Sequence, residues 1–101
     1  MARLIWSPQA ADDLEAACEY IARDSPGYAA DFARRVVDPV AVLRRYPRLG
    51  RVVPELGDPT LREIIVGHYR VRYDHIEGGR VEILAVHHGA RLLRGDPRES
   101  R

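Results

Sequence analysis

The sequence predicts an α+β fold: an N-terminal strand, a two-helix hairpin, then three antiparallel strands, with the helices on one face of the sheet. Three observations predict it. Two consecutive segments carry apolar residues at helical spacing, each opened by Ser-Pro. Three later stretches between Leu61 and His88 are rich in Val, Ile and Tyr and are separated by Gly-containing turns. Almost no linker separates the two helical segments, which forces them into an antiparallel pair. Helices followed by consecutive strands bury their apolar sides most simply as two layers.

Arg3–Ser7 is a short apolar-containing stretch and reads as the first strand. Ser7-Pro8 is an N-cap followed by proline at the first helical position. Ala10, Leu14, Ala17, Cys18 and Ile21 follow as one buried stripe, and the helix should end near Asp24. Asp12 and Asp13 fall in or just past the first turn, where carboxylates suit the positive end of the helix dipole. Ser25-Pro26 repeats the start signal. Ala29, Phe32, Val36, Val40 and Leu43 mark a second helix ending before Pro47. Pro39 lies inside it, where it removes a hydrogen bond and crowds the carbonyl of Arg35, so a kink or break is expected. Pro47–Pro59 reads as a loop. Leu61–Val66, Tyr69–Ile76 and Val81–His88 read as strands, the last of them long, apolar and central. Gly67-His68 suits a two-residue hairpin turn with glycine first, and Glu77-Gly78-Gly79-Arg80 forms the next turn.

The 101 residues fit one domain, 1–101, with the polar tail 94–101 expected to be flexible. A chain of this size has room for one core but not for a deep pocket with a lid, so its function should sit on a surface or groove. No apolar run approaches the ~20 residues that span a bilayer, and Met1–Ser7 lacks the features of a secretory signal. A cytoplasmic protein that does not engage membranes is expected. Cys18 is the lone cysteine, which rules out an internal disulfide, and its place on the helical stripe reads as a buried thiol.

The net charge of +1 is unevenly spread. Residues 9–24 carry Asp12, Asp13, Glu15, Glu19 and Asp24 against Arg23. Residues 34–51 carry Arg34, Arg35, Arg44, Arg45, Arg48 and Arg51 against Asp38. Every basic side chain is arginine. The bland cause is codon bias in a GC-rich genome, and the consequence is a planar fork that suits carboxylates, phosphates and stacking. With net charge near zero and no interleaved aromatics in the basic stretch, general nucleic-acid binding is disfavoured.

A set of short motifs, taken in order, spans nearly the whole chain. They are Trp6-Ser7-Pro8 with Ala11 and Leu14; Tyr20-Ile21-Ala22 with Ser25-Pro26; Ala30 with Phe32; Tyr46-Pro47; Gly50-Arg51; and Pro54-Glu55. Leu61-Arg62-Glu63, Tyr69-Arg70-Val71 with Tyr73, and Val86-His87-His88-Gly89-Ala90-Arg91 complete it. Each piece alone is an ordinary helix start, loop or strand, but their joint order is specific. In this order the chain resembles the RelE/ParE toxin superfamily, and within it the ParE branch. The resemblance implies the toxin of a type II toxin–antitoxin pair, silenced by a cognate antitoxin in a hetero-oligomer. In ParE-like members of known target that target is DNA gyrase. RelE-like members enter the ribosome and cleave mRNA.

The resemblance also implies where chemistry would sit. The RelE-like ribonucleases carry basic residues on the middle strands, an Arg after the last core strand, and commonly a Tyr or His near the C-terminus. Here Arg62, Arg70 and Arg91 take the basic positions. The C-terminal aromatic is missing: no Phe, Trp or Tyr follows Tyr73 and no His follows His88. The acid–base role would fall to His87 or His88, with His88 the candidate in the ribonuclease set. Neighbouring strand residues point to opposite faces, so only one of the two can serve a given site. The alternative is that one packs against the helices while the other meets solvent or the antitoxin. Arg70 has its own structural alternative, a pair with Glu82 or another carboxylate across the hairpin. The favoured expectation is a non-enzymatic toxin that binds gyrase, with Arg51, Arg70, His87, His88 and Arg91 contacting target or antitoxin. The four histidines lack metal-ligand spacing, and no metal or other cofactor is expected.

Overall fold

The computed structural model describes residues 1–76 and 78–89. In chain order it contains β1 (Arg3–Trp6), α1 (Pro8–Ala22), α2 (Pro26–Val42), β2 (Arg51–Val52), β3 (Leu61–Val66), β4 (Tyr69–Ile76) and β5 (Arg80–His88). The expected α+β order of strand, helices and strands is present. Arg91 and the predicted tail 94–101 lie outside the described residues.

Both helices start where the serines place them. Ser7 Oγ accepts from the Ala10 N–H at 3.0 Å and donates to the Leu84 carbonyl at 3.2 Å. Ser25 Oγ accepts from the Tyr28 N–H at 3.3 Å. Each proline follows its cap at the first helical position, where its missing N–H costs nothing. α2 continues through Pro39 to Val42, so of the kink or break expected there the break does not occur. Asp12 and Asp13 lie beyond the first turn. Asp13 instead reaches β5, where its carboxylate accepts from the Val86 N–H at 3.0 Å.

The sheet has five strands in the order β1-β5-β4-β3-β2, two more than the antiparallel trio read from the sequence. β1 joins β5 in parallel, with Trp6 opposite Ile83. The two residues of β2 pair antiparallel with Arg62 and Glu63 of β3, inside the segment read as loop. β4 is the middle strand and β5 lies between it and β1. The turn at Gly67-His68 is as expected: Val66 pairs with Tyr69 and Gly67 has φ 58°. The β4–β5 register shifts between Arg72 and Tyr73, which are opposite Ala85 and Ile83, leaving Leu84 as an extra residue on β5.

Strand alternation sorts the sheet side chains into two sets. One set joins both helices in the main core: Val66, Val71, Tyr73, Val81, Ile83 and Val86 pack with Ala10, Ala17, Phe32, Val36, Val40 and Leu43. Phe32 and Tyr69 meet at a ring-centroid distance of 4.9 Å. Trp6 and Cys18 are partly buried against this core, and burial pushes the Cys18 thiol pKa up. The other set has only a small apolar cluster of Val53, Leu61 and Leu84. The remainder of that set is mainly charged, with Glu63, Arg70, Arg72, Asp74 and Glu82 beside Ile65, Ala85 and His87.

A candidate interaction site built on buried arginines and glutamates

The charged set follows from strand pairing. Directly opposed residues share a face, which gives the rows Ile65–Arg70–His87, Glu63–Arg72–Ala85 and Leu61–Asp74–Glu82. Glu63 and Arg72 therefore stand side by side at the centre of the sheet, and neither side chain has any exposure. Burying two charges is tolerable only when they meet partners. Glu63 has three. Its carboxylate accepts from Arg72 Nε at 3.2 Å, from Arg70 Nε and Nη2 at 2.8 and 2.7 Å, and from Arg51 Nε at 2.9 Å.

A second carboxylate covers the cluster. Glu55, on the turn after β2, takes the outer edge of the Arg70 guanidinium in a two-point contact, with Nη1 donating at 2.5 Å and Nη2 at 2.7 Å. It also lies 3.7 Å from Arg72 Nη2. Its side chain is 46% exposed, whereas that of Arg70 is 10% exposed. The hydrogen bonds from Arg70 hold the Glu55 carboxyl at a pKa of about 2. Burial pushes Glu63 upward, but the bonds from Arg70 and Arg51 outweigh it and leave its pKa below the ordinary value. Glu55 and then Glu63 raise that of Arg70, while burial and the neighbouring Arg70 charge lower that of Arg72. Arg72 Nη1 and Nη2 are buried without a hydrogen-bond partner among the described residues, as is His87 Nε2. Burial lowers the His87 pKa and favours the neutral ring.

The residues singled out from the sequence divide between the two faces. Arg70, Arg51 and His87 come together on the charged face. Arg62 and His88 do not join them. Arg62 shares its row with Tyr73, and His88 shares its row with Tyr69, on the helix-contacting side. The Arg62 guanidinium is spent on loop carbonyls, donating to Gly50 at 2.9 Å and Pro59 at 3.1 Å. His88 packs edge-on to Tyr69 at 5.5 Å and stacks on His68 at 6.0 Å. The two adjacent histidines thus face opposite ways, as alternation requires. The half-buried one, His87, lies on the charged side rather than against the helices. The cross-hairpin carboxylate that Arg70 meets is Glu63, joined by Glu55, and not Glu82, which stands opposite Asp74. Glu55, Glu63 and Arg72 are site residues beyond those that the sequence predicts. The signal for them was present in Arg70, Arg72 and Asp74, which alternate with Tyr69, Val71 and Tyr73 and so mark a polar face on an interior strand.

Among the described residues no group of three His, Cys, Asp or Glu side chains is placed to hold a metal ion, and no helix is long and apolar enough to cross a membrane.

Comparison with known proteins places this geometry in a context. Residues 4–93 match the family described as the ParE toxin of the type II toxin-antitoxin system parDE. The protein Toxin RelE2 of Caulobacter vibrioides is 38% identical over 93 residues, spanning 91% of this chain and 100% of that protein. The solved chromosomal ParDE toxin–antitoxin system of P. aeruginosa contains a chain with the same fold, at TM-score 0.69 and 23% identity. That match covers 87% of this chain and 96% of the other.

Proposed function

Because this chain belongs to the ParE toxin family of type II toxin–antitoxin systems, we propose that it inhibits DNA gyrase by direct binding in the cytoplasm and is neutralised by a cognate antitoxin. The observation that carries the non-enzymatic reading is that Arg70, although His87 lies on its face, is engaged by Glu63 and Glu55, while Arg62 and His88 lie on the opposite face. Metal-free RNA cleavage needs cations and an acid–base group converging on one phosphate. Here Arg70 is occupied by two carboxylates and Arg62 by backbone carbonyls. Interaction through surface contact needs no such convergence.

The antitoxin contact we assign to the groove between α2 and β3. It holds about 460 Å³ and is lined by Asp31, Arg34, Arg35, Pro39, Ile64 and Ile65 among others. β2 pairs with β3 only at Arg62 and Glu63, so the edge along Ile64–Val66 lies beyond β2 and beside this groove. An antitoxin segment adding there as a strand would gain backbone hydrogen bonds and set its acids against Arg34 and Arg35.

A supercoiling assay with purified gyrase tests the central claim. Inhibition that scales with toxin concentration, and is reversed by the neighbouring gene product, is the expected result. Undisturbed supercoiling together with mRNA cleavage on ribosomes would favour the endoribonuclease alternative.

A further inference from the structure

We propose that Arg70 and Arg72 form a carboxylate-receiving site in which Glu55 is a built-in, exchangeable occupant, and that an acidic side chain of a partner polypeptide takes its place. The partner's identity as an antitoxin or target rests on the reading above; the site itself does not.

The two glutamates of the cluster are unequal. Glu63 projects from β3, has no exposure, and is fixed by three arginines. Glu55 projects from a turn, is half-exposed, and touches the cluster only from outside. That turn is anchored through its base: Val53 is fully buried, and its carbonyl accepts from the Leu56 and Gly57 N–H groups at 3.2 and 3.0 Å. The Glu55 side chain can therefore rotate away while the backbone stays in place.

Its departure uncovers a built receptor. Arg70 would offer Nη1 and Nη2 in the parallel geometry that already holds a carboxylate, the arrangement in which arginine binds carboxylates best. Behind it, Arg72 Nη1 and Nη2 are wholly buried donors without a hydrogen bond. Three arginines would then face Glu63 alone, and leaving them so is unfavourable. The exchange is therefore coupled: Glu55 leaves as another carboxylate arrives. A like-for-like swap changes the electrostatics little, so contacts beside the site must drive it. Those are available. Leu56 follows Glu55 in the turn and is 36% exposed, and Ile65, directly opposite Arg70, is 50% exposed. The fitting ligand is an Asp or Glu flanked by apolar residues.

The test follows the arginine Nε–Hε resonances of the full chain by NMR at constant ionic strength. Three probes are titrated: a capped peptide with one glutamate between two leucines, its glutamine counterpart, and a short single-stranded RNA. In Glu55→Ala the glutamate peptide should shift the Arg70 and Arg72 signals saturably, at a concentration at least tenfold below that needed in the wild type. The glutamine peptide and the RNA should not. Glu55→Gln, which keeps the size and loses the charge, carries the same measurement if the alanine variant does not fold. Equal response to the two peptides, or no gain on removing Glu55, overturns the proposal. Movement of the same signals by RNA overturns it in favour of a nucleic-acid phosphate. None of these outcomes depends on gyrase.

Discussion

Glu63 of β3 and Arg72 of β4 stand directly opposite each other in the sheet, both without side-chain exposure, and Arg72 Nε donates to the Glu63 carboxylate at 3.2 Å. A charge pair at the centre of a small sheet commits the structure to both members. Glu63 is also the acid that Arg51 and Arg70 share.

Removing this acid should therefore be costly. Glu63→Ala removes the carboxylate that Arg72 Nε bonds and leaves this buried charge with only the more distant Glu55, and breaking a buried pair costs about 3–5 kcal/mol. Glu55→Ala should cost much less, because a half-exposed ion pair contributes little. Urea denaturation of the two variants beside the wild type checks the order. A Glu63→Ala loss no larger than that of Glu55→Ala would contradict a buried hub.

The same groups make stability depend on pH with a definite sign. Glu55 falls from 4.5 to about 2 on folding, so its contribution is complete above 4.5 and is lost as the pH drops toward 2. Glu63, also lowered, acts in the same direction. His87 is lowered from 6.5, so the fold favours the neutral ring, and that contribution is present above 6.5 and fades as the pH falls through its folded value. Urea midpoints between pH 7.5 and 2 should decline in both windows. His87→Gln should flatten the upper one and Glu55→Gln part of the lower. A wild-type midpoint constant between pH 4.5 and 2 would contradict the assignment.

Gly50 is held where no side chain fits. A Cβ there would lie 2.7 Å from the Glu63 carbonyl oxygen and 2.7 Å from the Tyr73 ring and hydroxyl. Tyr73 cannot yield easily: it is fully buried, accepts from the Gly50 N–H at 2.9 Å and donates to the Pro47 carbonyl at 2.6 Å. Gly50→Ala should destabilise by about 1–3 kcal/mol, the range for overpacking. Thermal unfolding by circular dichroism measures it, and an unchanged midpoint would show that the loop relaxes freely.

For function, Arg91→Ala and truncation after Leu93 should each weaken growth arrest and gyrase inhibition together while leaving the circular dichroism spectrum unchanged. His88→Gln should leave inhibition without a new pH dependence, since no proton is transferred in a binding mechanism. Growth arrest that persists in full when gyrase is untouched by the purified protein would point to another target.

The local signals were legible because their physics is local. Ser7-Pro8 and Ser25-Pro26 set the helix starts within one turn of chain. Gly67-His68 set a hairpin through two residues, and the alternation of Tyr69, Val71 and Tyr73 with Arg70, Arg72 and Asp74 divided β4 into an apolar and a polar side. Motif order carried the family. Pro39 left a kink or a break open at this level, and α2 excludes the break by continuing through it.

What only the tertiary structure decided were the long-range pairings. A two-residue strand at Arg51–Val52 has no periodicity to read, and the parallel docking of β1 on β5 joins residues nearly eighty positions apart. The register shift opposite Arg72 and Tyr73 is invisible in a sequence that merely continues apolar through Leu84 and Ala85. The same holds for the site. Sequence placed arginines on the strands, but a guanidinium donates to whichever carboxylate the fold delivers, and Glu55 reaches Arg70 from a segment that reads as loop. Residue types determined that charge would sit on this sheet. The Gly67-His68 register and strand alternation set Arg70, Arg72 and Glu63 on one face and Arg62 on the other; packing alone determined that Arg51 of β2 joins Glu63 and that Glu55 covers the cluster from outside.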